Sequence, residues 1–254
     1  GERSEAAAAI LDLEPRIRNG TLRLQLIGAA LGTVDPVRHN AKLIALSAEG
    51  ADIASAAGAS QLQAHFMARR ADLLGVQVSM RKHRRAELKL APGWMEFATQ
   101  AEKQEHESLT TEVTELEQKV DRLLEEALML AQRRGDERLQ AFVLMSKGNV
   151  DNGRCLQHKA ECMRSPFWAR VWIRCPLIWR PFFERLFLLS RSDAKKLNAY
   201  VESFTKCFLR AADLLERIND PAAAAAYHNL ANNLRTTYRF RTARKYLAKA
   251  RMIA

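Results

Sequence analysis

The chain has 254 residues with 11 Gly, 7 Pro and 48% hydrophobic content; it can bury a substantial core without disulfides, and its long stretches free of both helix breakers read as almost wholly helical. Four cysteines, Cys155, Cys162, Cys175 and Cys207, lack the dense spacing of a secreted disulfide scaffold, no signal peptide precedes them and no strand pattern with hairpin turns is present, so a soluble protein of a reducing cytoplasm is expected. The net charge of +11 invites a nucleic-acid reading, but basic clusters such as Arg81, Lys82, His83, Arg84 and Arg85 are local, as on a solvated helix face.

The segment 3–31 holds an alanine run, Ala6 to Ala9, then Pro15 and Gly20, which divide it into two short helices. At Asp35-Pro36 the chain restarts, with Asp35 as cap and Pro36 in the first helical position, where a missing N–H costs nothing. That helix is predicted to bury Ala41, Ile44, Ala45 and Ala48 and to end near Gly50, with another following over 51–57. Ser60 caps the next helix, which runs through Leu62, Phe66, Ala71 and Leu74 and is expected to stop at Gly75; a partner helix over 79–90 precedes Pro92.

From Trp94 to Arg134 there is neither Gly nor Pro. Leu109, Val113, Leu116, Val120, Leu123, Ala127 and Leu130 alternate spacings of four and three, a heptad seam, with Ser108, Thr110 and Thr111 as a candidate interruption. Leu124 and Leu128 widen the apolar face beyond a narrow seam, which favours packing inside the same chain over a coiled-coil dimer. Gly135 then suits a left-handed cap and Asp136 the start of the next helix, and the same punctuation recurs at Ile218-Asn219-Asp220. The letters Ala71-Asp72-Leu73-Leu74 also recur at Ala212-Asp213-Leu214-Leu215.

The segment 164–191 combines Phe167, Trp168, Trp172, Trp179, Phe182, Phe183 and Phe187 with six arginines and Glu184 as its one acid, broken by Pro166, Pro176 and Pro181. Its charges exclude a conventional spanning helix, which needs about 20 mostly apolar residues. Three readings compete: an irregular insertion packed on the helices, a partner or lipid-surface contact, and a stacking platform for nucleic acid, with Trp168, Trp172, Trp179, Arg174 and Arg180 as the contact residues. Helix resumes over 194–217, burying Leu197, Val201, Phe204, Phe208 and Leu215.

In the last segment Tyr227, Leu230, Ala231 and Leu234 share one helix face, and Ala243, Leu247 and Ala250 another. This spacing resembles a tetratricopeptide repeat, a helical hairpin of about 34 residues with small and large residues at fixed places. Tyr238 stands where that motif has glycine. After Asp136, Leu144 takes the motif's aromatic place and Gly148 its small one, while Lys147 departs from it; in the hairpin 60–90, Ala86 serves as the small residue and His83 takes a bulky apolar place. The resemblance implies an all-α, right-handed α-solenoid of such hairpins, divided as 1–58, 59–163, an insertion 164–192, and 193–254.

It also implies a concave groove for a protein or peptide, lined by His228, Asn229, Asn232, Arg235 and Thr236, and by Ser146, Asn149 and Asn152 in the earlier helix. Amides and a guanidinium suit a peptide backbone or a carboxylate. Family members that clamp a terminal carboxylate use lysines that are missing here. No phosphate loop, dinucleotide fingerprint or zinc-protease motif appears, so neither catalysis nor a cofactor is expected. Cys155, His158 and Cys162 fall on one predicted face, with Cys175 as the fourth donor a structural zinc site would need, but the zinc-knuckle spacing is absent and buried cysteines beside a surface histidine are expected.

The chain opens at Gly1 rather than Met and stops at Ala254 inside a helical pattern, from which we expect a piece of a longer protein. The expected function is a non-catalytic interaction scaffold or sensor module, similar to repeats that follow effector domains in bacterial signalling or defence proteins. The alternatives are a basic helical nucleic-acid binder and a protein of the membrane surface.

Overall fold

The computed structural model describes residues 19–88, 97–162 and 191–254, without the side chains at 160–162 and 191. The segment 1–18 and the aromatic-basic segment with Trp168, Trp172, Arg174, Trp179 and Arg180 lie outside the described residues. Among the described residues the fold is all-α, with no strand. Its helices are α1 (Gly20–Thr33), α2 (Asn40–Ala56), α3 (Ser60–Leu88), α4 (Gln100–Arg133), α5 (Glu137–Cys162), α6 (Arg191–Arg217), α7 (Ala222–Thr236) and α8 (Phe240–Ile253). They divide into two compact units, Gly1–Arg81 with Thr111–Ser146, and Lys82–Thr110 with Lys147–Ala254.

In the first unit Asn19 caps α1, its Oδ1 accepting from the N–H groups of Thr21 and Leu22 at 3.1 and 3.2 Å. Arg23 forks onto the Glu49 carboxylate of α2, and Ile27 and Ala30 are fully buried. Asp35 does not cap α2 as expected: its Oδ1 accepts from the Val37 N–H at 2.8 Å in a turn over 36–39, and α2 starts only at Asn40, with His39 as its N-cap and no side-chain capping bond, so Pro36 lies in the turn and not in the first helical position. The buried face of α2 differs from the expected one too. It consists of Asn40, Leu43, Leu46, Ser47, Gly50, Ala51 and Ala54, while Ala41 and Ala45 are exposed. Leucine removes far more apolar area from water than alanine, so Leu43 and Leu46 set the rotation.

Two predicted helix stops are absent. Gly50 lies inside α2, where an added Cβ would meet the Phe66 ring at 3.0 Å, so it is a point of close approach rather than a terminus. Gly75 lies inside α3, which runs unbroken for 29 residues. Ala64, Ala68, Ala71, Leu74 and Val78 carry one buried stripe straight past it, and that burial outweighs the roughly 1 kcal/mol that glycine costs a helix interior. The hairpin expected over 60–90 is therefore a single helix; His83 points outward and meets only Glu87 of its own helix, 3.4 Å away, among the described partners.

The helix α4 opens with a reciprocal capping pair, the Thr99 N–H donating to Glu102 and the Glu102 N–H to Thr99 Oγ1. It continues through Ser108, Thr110 and Thr111, since Thr110 Oγ1 donates back to the His106 carbonyl at 2.8 Å. Its buried stripe is Leu109, Val113, Val120, Leu124, Ala127 and Ala131, whereas Leu123 and Leu130 are half-buried. The stripe thus starts in the heptad register and leaves it by one residue. A straight helix drifts about 20° per heptad from a coiled-coil seam, and α4 follows the drift.

Between α3 and α5 the contacts run in step: Arg134 Nη2 donates to Ser60 Oγ, Gln61 Nε2 to Asp136 Oδ2 at 2.7 Å, and Ser146 Oγ to Asp72 Oδ2 at 3.1 Å, across 74, 75 and 74 residues of sequence. His65 stacks on Phe142 at 4.7 Å between centroids. The two helices therefore run parallel.

In the second unit α5 and α6 are antiparallel. Gly148 faces Phe208, Asp151 Oδ2 accepts from Ser203 Oγ at 2.6 Å, and His158 Nε2 lies 3.2 Å from Asp193 Oδ1. Phe204 and Phe208 are fully buried, as predicted, with Val201 and Leu215. The hairpin α7–α8 is also antiparallel: Tyr227 stacks on Tyr246 at 5.9 Å, and Lys249 bridges Tyr227 and Glu216. Tyr227, Leu230, Ala231 and Leu234 are all buried, with Ala243 and Ala250 from α8 and Leu247 half-buried. Each buried leucine contributes about 1.5–3 kcal/mol. Finally, α5 and α7 run parallel, Asn152 Nδ2 donating to Asn233 Oδ1 at 3.1 Å and Lys159 meeting Tyr238 two turns on.

Four turns share one hydrogen-bond pattern. Gly58, Gly135, Asn219 and Tyr238 all adopt positive φ, 67°, 65°, 53° and 60°, and in each the next residue's N–H returns to a carbonyl five residues back. Gly135 and Asn219 were expected there. Tyr238 forms the same turn without glycine, at a backbone cost of about 1–2 kcal/mol for a residue with a Cβ.

Candidate functional site

The predicted row on α7 is accessible. His228, Arg235 and Thr236 are exposed and Asn229 and Asn232 half-buried; Thr236 Oγ1 donates to the Asn233 carbonyl at 2.7 Å. The earlier row is divided. Asn149 is exposed, but Asn152 is engaged with Asn233 and Ser146 is buried against Asp72, whose carboxyl burial pushes up to about 6. Ser146 is thus placed inside the fold, not on an open face.

At the end of the α7 row lies an open groove of about 490 Å³, lined by Arg235, Phe240, Arg241, Ala243, Arg244 and Leu247. Helix periodicity builds it: Phe240, Ala243, Arg244 and Leu247 share a face of α8, and the turn at Tyr238 brings them beside Arg235 in the last turn of α7. Phe240, one of the lining residues, is 42% exposed and meets the Tyr238 ring edge-on at 6.0 Å between centroids. The charge is one-sided. Residues 221–254 contain seven Lys and Arg and no acid. Lys249 is bound to Glu216 and Tyr227, which raises its pKa and lowers that of Glu216, and Arg239 Nη2 donates to Asn198 Oδ1 at 3.1 Å. Arg235, Arg241 and Arg244 carry no ion pair among the described residues.

The basic run singled out in the sequence behaves oppositely. Arg81 pairs with Glu112 at 3.0 Å and Arg84 with Glu105 at 2.9 Å, so acids of α4 neutralise much of it. Of the groove, sequence reasoning named only Arg235 as a site residue. Arg241, Arg244 and Phe240 were missed, although the absence of any acid after Asp220 was a legible signal.

The proposed donors at 155–162 are only partly described. Burial pushes the Cys155 thiol up to about 11, and His158 is engaged with Asp193 and the edge of Tyr200; Cys175 and the side chain of Cys162 lie outside the described residues. Among the described residues no cluster of metal-ligating side chains is present, and no helix is long and apolar enough to cross a membrane. No protein-family model matches the chain, and comparison with curated proteins finds no match.

Proposed function

We propose that this chain is a non-catalytic recognition module of tetratricopeptide-like hairpins, working as a scaffold or sensor within a larger signalling or defence protein, and that it holds a protein partner along α7. The observation that carries the reading is the juxtaposition of the α7 row, with His228 and Arg235 exposed and Asn229 and Asn232 half-buried, with an open groove whose arginines carry no ion pair among the described residues. The parallel pairing of α5 with α7, each backed by an antiparallel helix, supports the repeat-like part. A pull-down with the purified chain, with nuclease and at low and high salt, tests it. A protein that survives nuclease and is lost with Asn229→Ala, Asn232→Ala and Arg235→Ala combined is the expected result.

A second reading, nucleic-acid binding, is favoured by the acid-free run from 221 to 254. It predicts recovery of nucleic acid alone, removed by salt and indifferent to the two asparagines.

A further inference from the structure

Resting on the recognition reading, we infer that the groove between the end of α7 and the start of α8 takes an acidic peptide segment with one large apolar side chain between its carboxylates. The volume, about 490 Å³, suits one large side chain with its flanking backbone. The groove's apolar lining is Phe240, Ala243 and Leu247, and Phe240 is 42% exposed with nothing polar to satisfy. Around it Arg235, Arg241 and Arg244 present planar forks of donors, the geometry that a carboxylate accepts in two parallel bonds. Aromatic and arginine side chains around a small apolar centre are the composition from which binding hot spots are built.

Charge complementarity selects an anion, and the layout selects a compact one. A polyanion such as single-stranded nucleic acid needs a track of open cations along its backbone. Here Lys249, further along α8, is bound to Glu216, and Arg239 beside the turn to Asn198, so two of the cations that would extend the track are engaged. Arg235, Arg241 and Arg244, which carry no ion pair among the described residues, line one apolar groove instead; Lys245 and Arg251 of α8 carry none either, but they do not line it.

The test is selection from a randomised peptide library displayed on phage, with the whole chain as bait and the Arg241→Ala/Arg244→Ala variant as counter-bait. Circular dichroism confirms that the variant is folded; both side chains are exposed. Enriched peptides are expected to carry Asp or Glu on both sides of Phe, Leu or Trp. As synthetic peptides they should bind at least about tenfold more weakly to the double variant, and more weakly to Phe240→Ser. Enrichment without acids, or equal binding to the double variant, overturns the inference. Peptides that need Asn229 and Asn232 but neither arginine overturn it while leaving the recognition module standing. Oligothymidylate binding that needs Arg241 and Arg244, with no acidic peptide enriched, overturns it in favour of phosphate recognition. No enriched peptide, and no partner in the pull-down, overturns both.

Discussion

The ammonium of Lys159 stands 3.9 Å from the ring centroid of Tyr238, the residue that turns α7 into α8 with a left-handed backbone. Lys159 is itself buried, so the contact is shielded from water, where a cation over an aromatic face is worth about 2 kcal/mol. The unfavourable φ of Tyr238 is thereby offset by a contact glycine cannot make. A double-mutant cycle of Lys159→Met and Tyr238→Leu, read by urea unfolding, should give a coupling of about 1–2 kcal/mol. Strict additivity would mean that the turn is held by something else.

Gly148 predicts a large effect from a small change. A Cβ there would meet the Phe208 ring at 2.7 Å in a fully buried setting, so Gly148→Ala should destabilise by about 1–3 kcal/mol despite the better helix propensity of alanine. Gly153, on the same helix, has nothing within 4 Å of its would-be Cβ, and Gly153→Ala should stabilise by about 0.5–1 kcal/mol. Thermal unfolding of the pair checks both signs, and Phe208→Leu should relieve the Gly148→Ala defect.

The half-buried side chain of Asp72 makes stability depend on pH. Its folded pKa, about 6, lies above the ordinary 3.8 because burial disfavours the charged form, although Arg69 is near and Ser146 donates to it. Below both values the two states are protonated alike. As pH rises the unfolded chain loses this proton first, so stability falls through the window between the two values and the penalty is fully present above it. Asp72→Asn should therefore gain about 1–2 kcal/mol near pH 7.5, discounted for partial water access, and almost nothing near pH 3.5. A difference that does not grow with pH rules out the buried-acid account.

The register of α4 can be read by truncation. Leu124 is almost wholly buried and Leu123 only half, so Leu124→Ala should cost about 2–4 kcal/mol and Leu123→Ala under about 1 kcal/mol. A helix pairing with a second copy along the heptad seam would reverse that order, and make the midpoint of unfolding rise with protein concentration.

What the sequence by itself determined is local. The turns at Gly135 and Asn219 follow from a backbone conformation that few residues adopt, and the stripe of Tyr227, Leu230, Ala231 and Leu234 follows from helical spacing, because both depend only on neighbours in the chain. Tertiary structure decided what a residue packs against. Gly50 and Gly75 look like stops until Phe66 and the stripe from Ala64 to Val78 make them interior; the α4 seam shifts from Leu123 to Leu124 because a packed straight helix keeps its own period. The same holds for charge. Arg81 and Arg84 read as an open basic cluster but meet Glu112 and Glu105, while Arg241 and Arg244, unremarkable in sequence, are the ones beside a groove with no ion-pair partner among the described residues. An arginine's availability depends on which acids the fold brings within reach, and spacing along the chain does not carry that information.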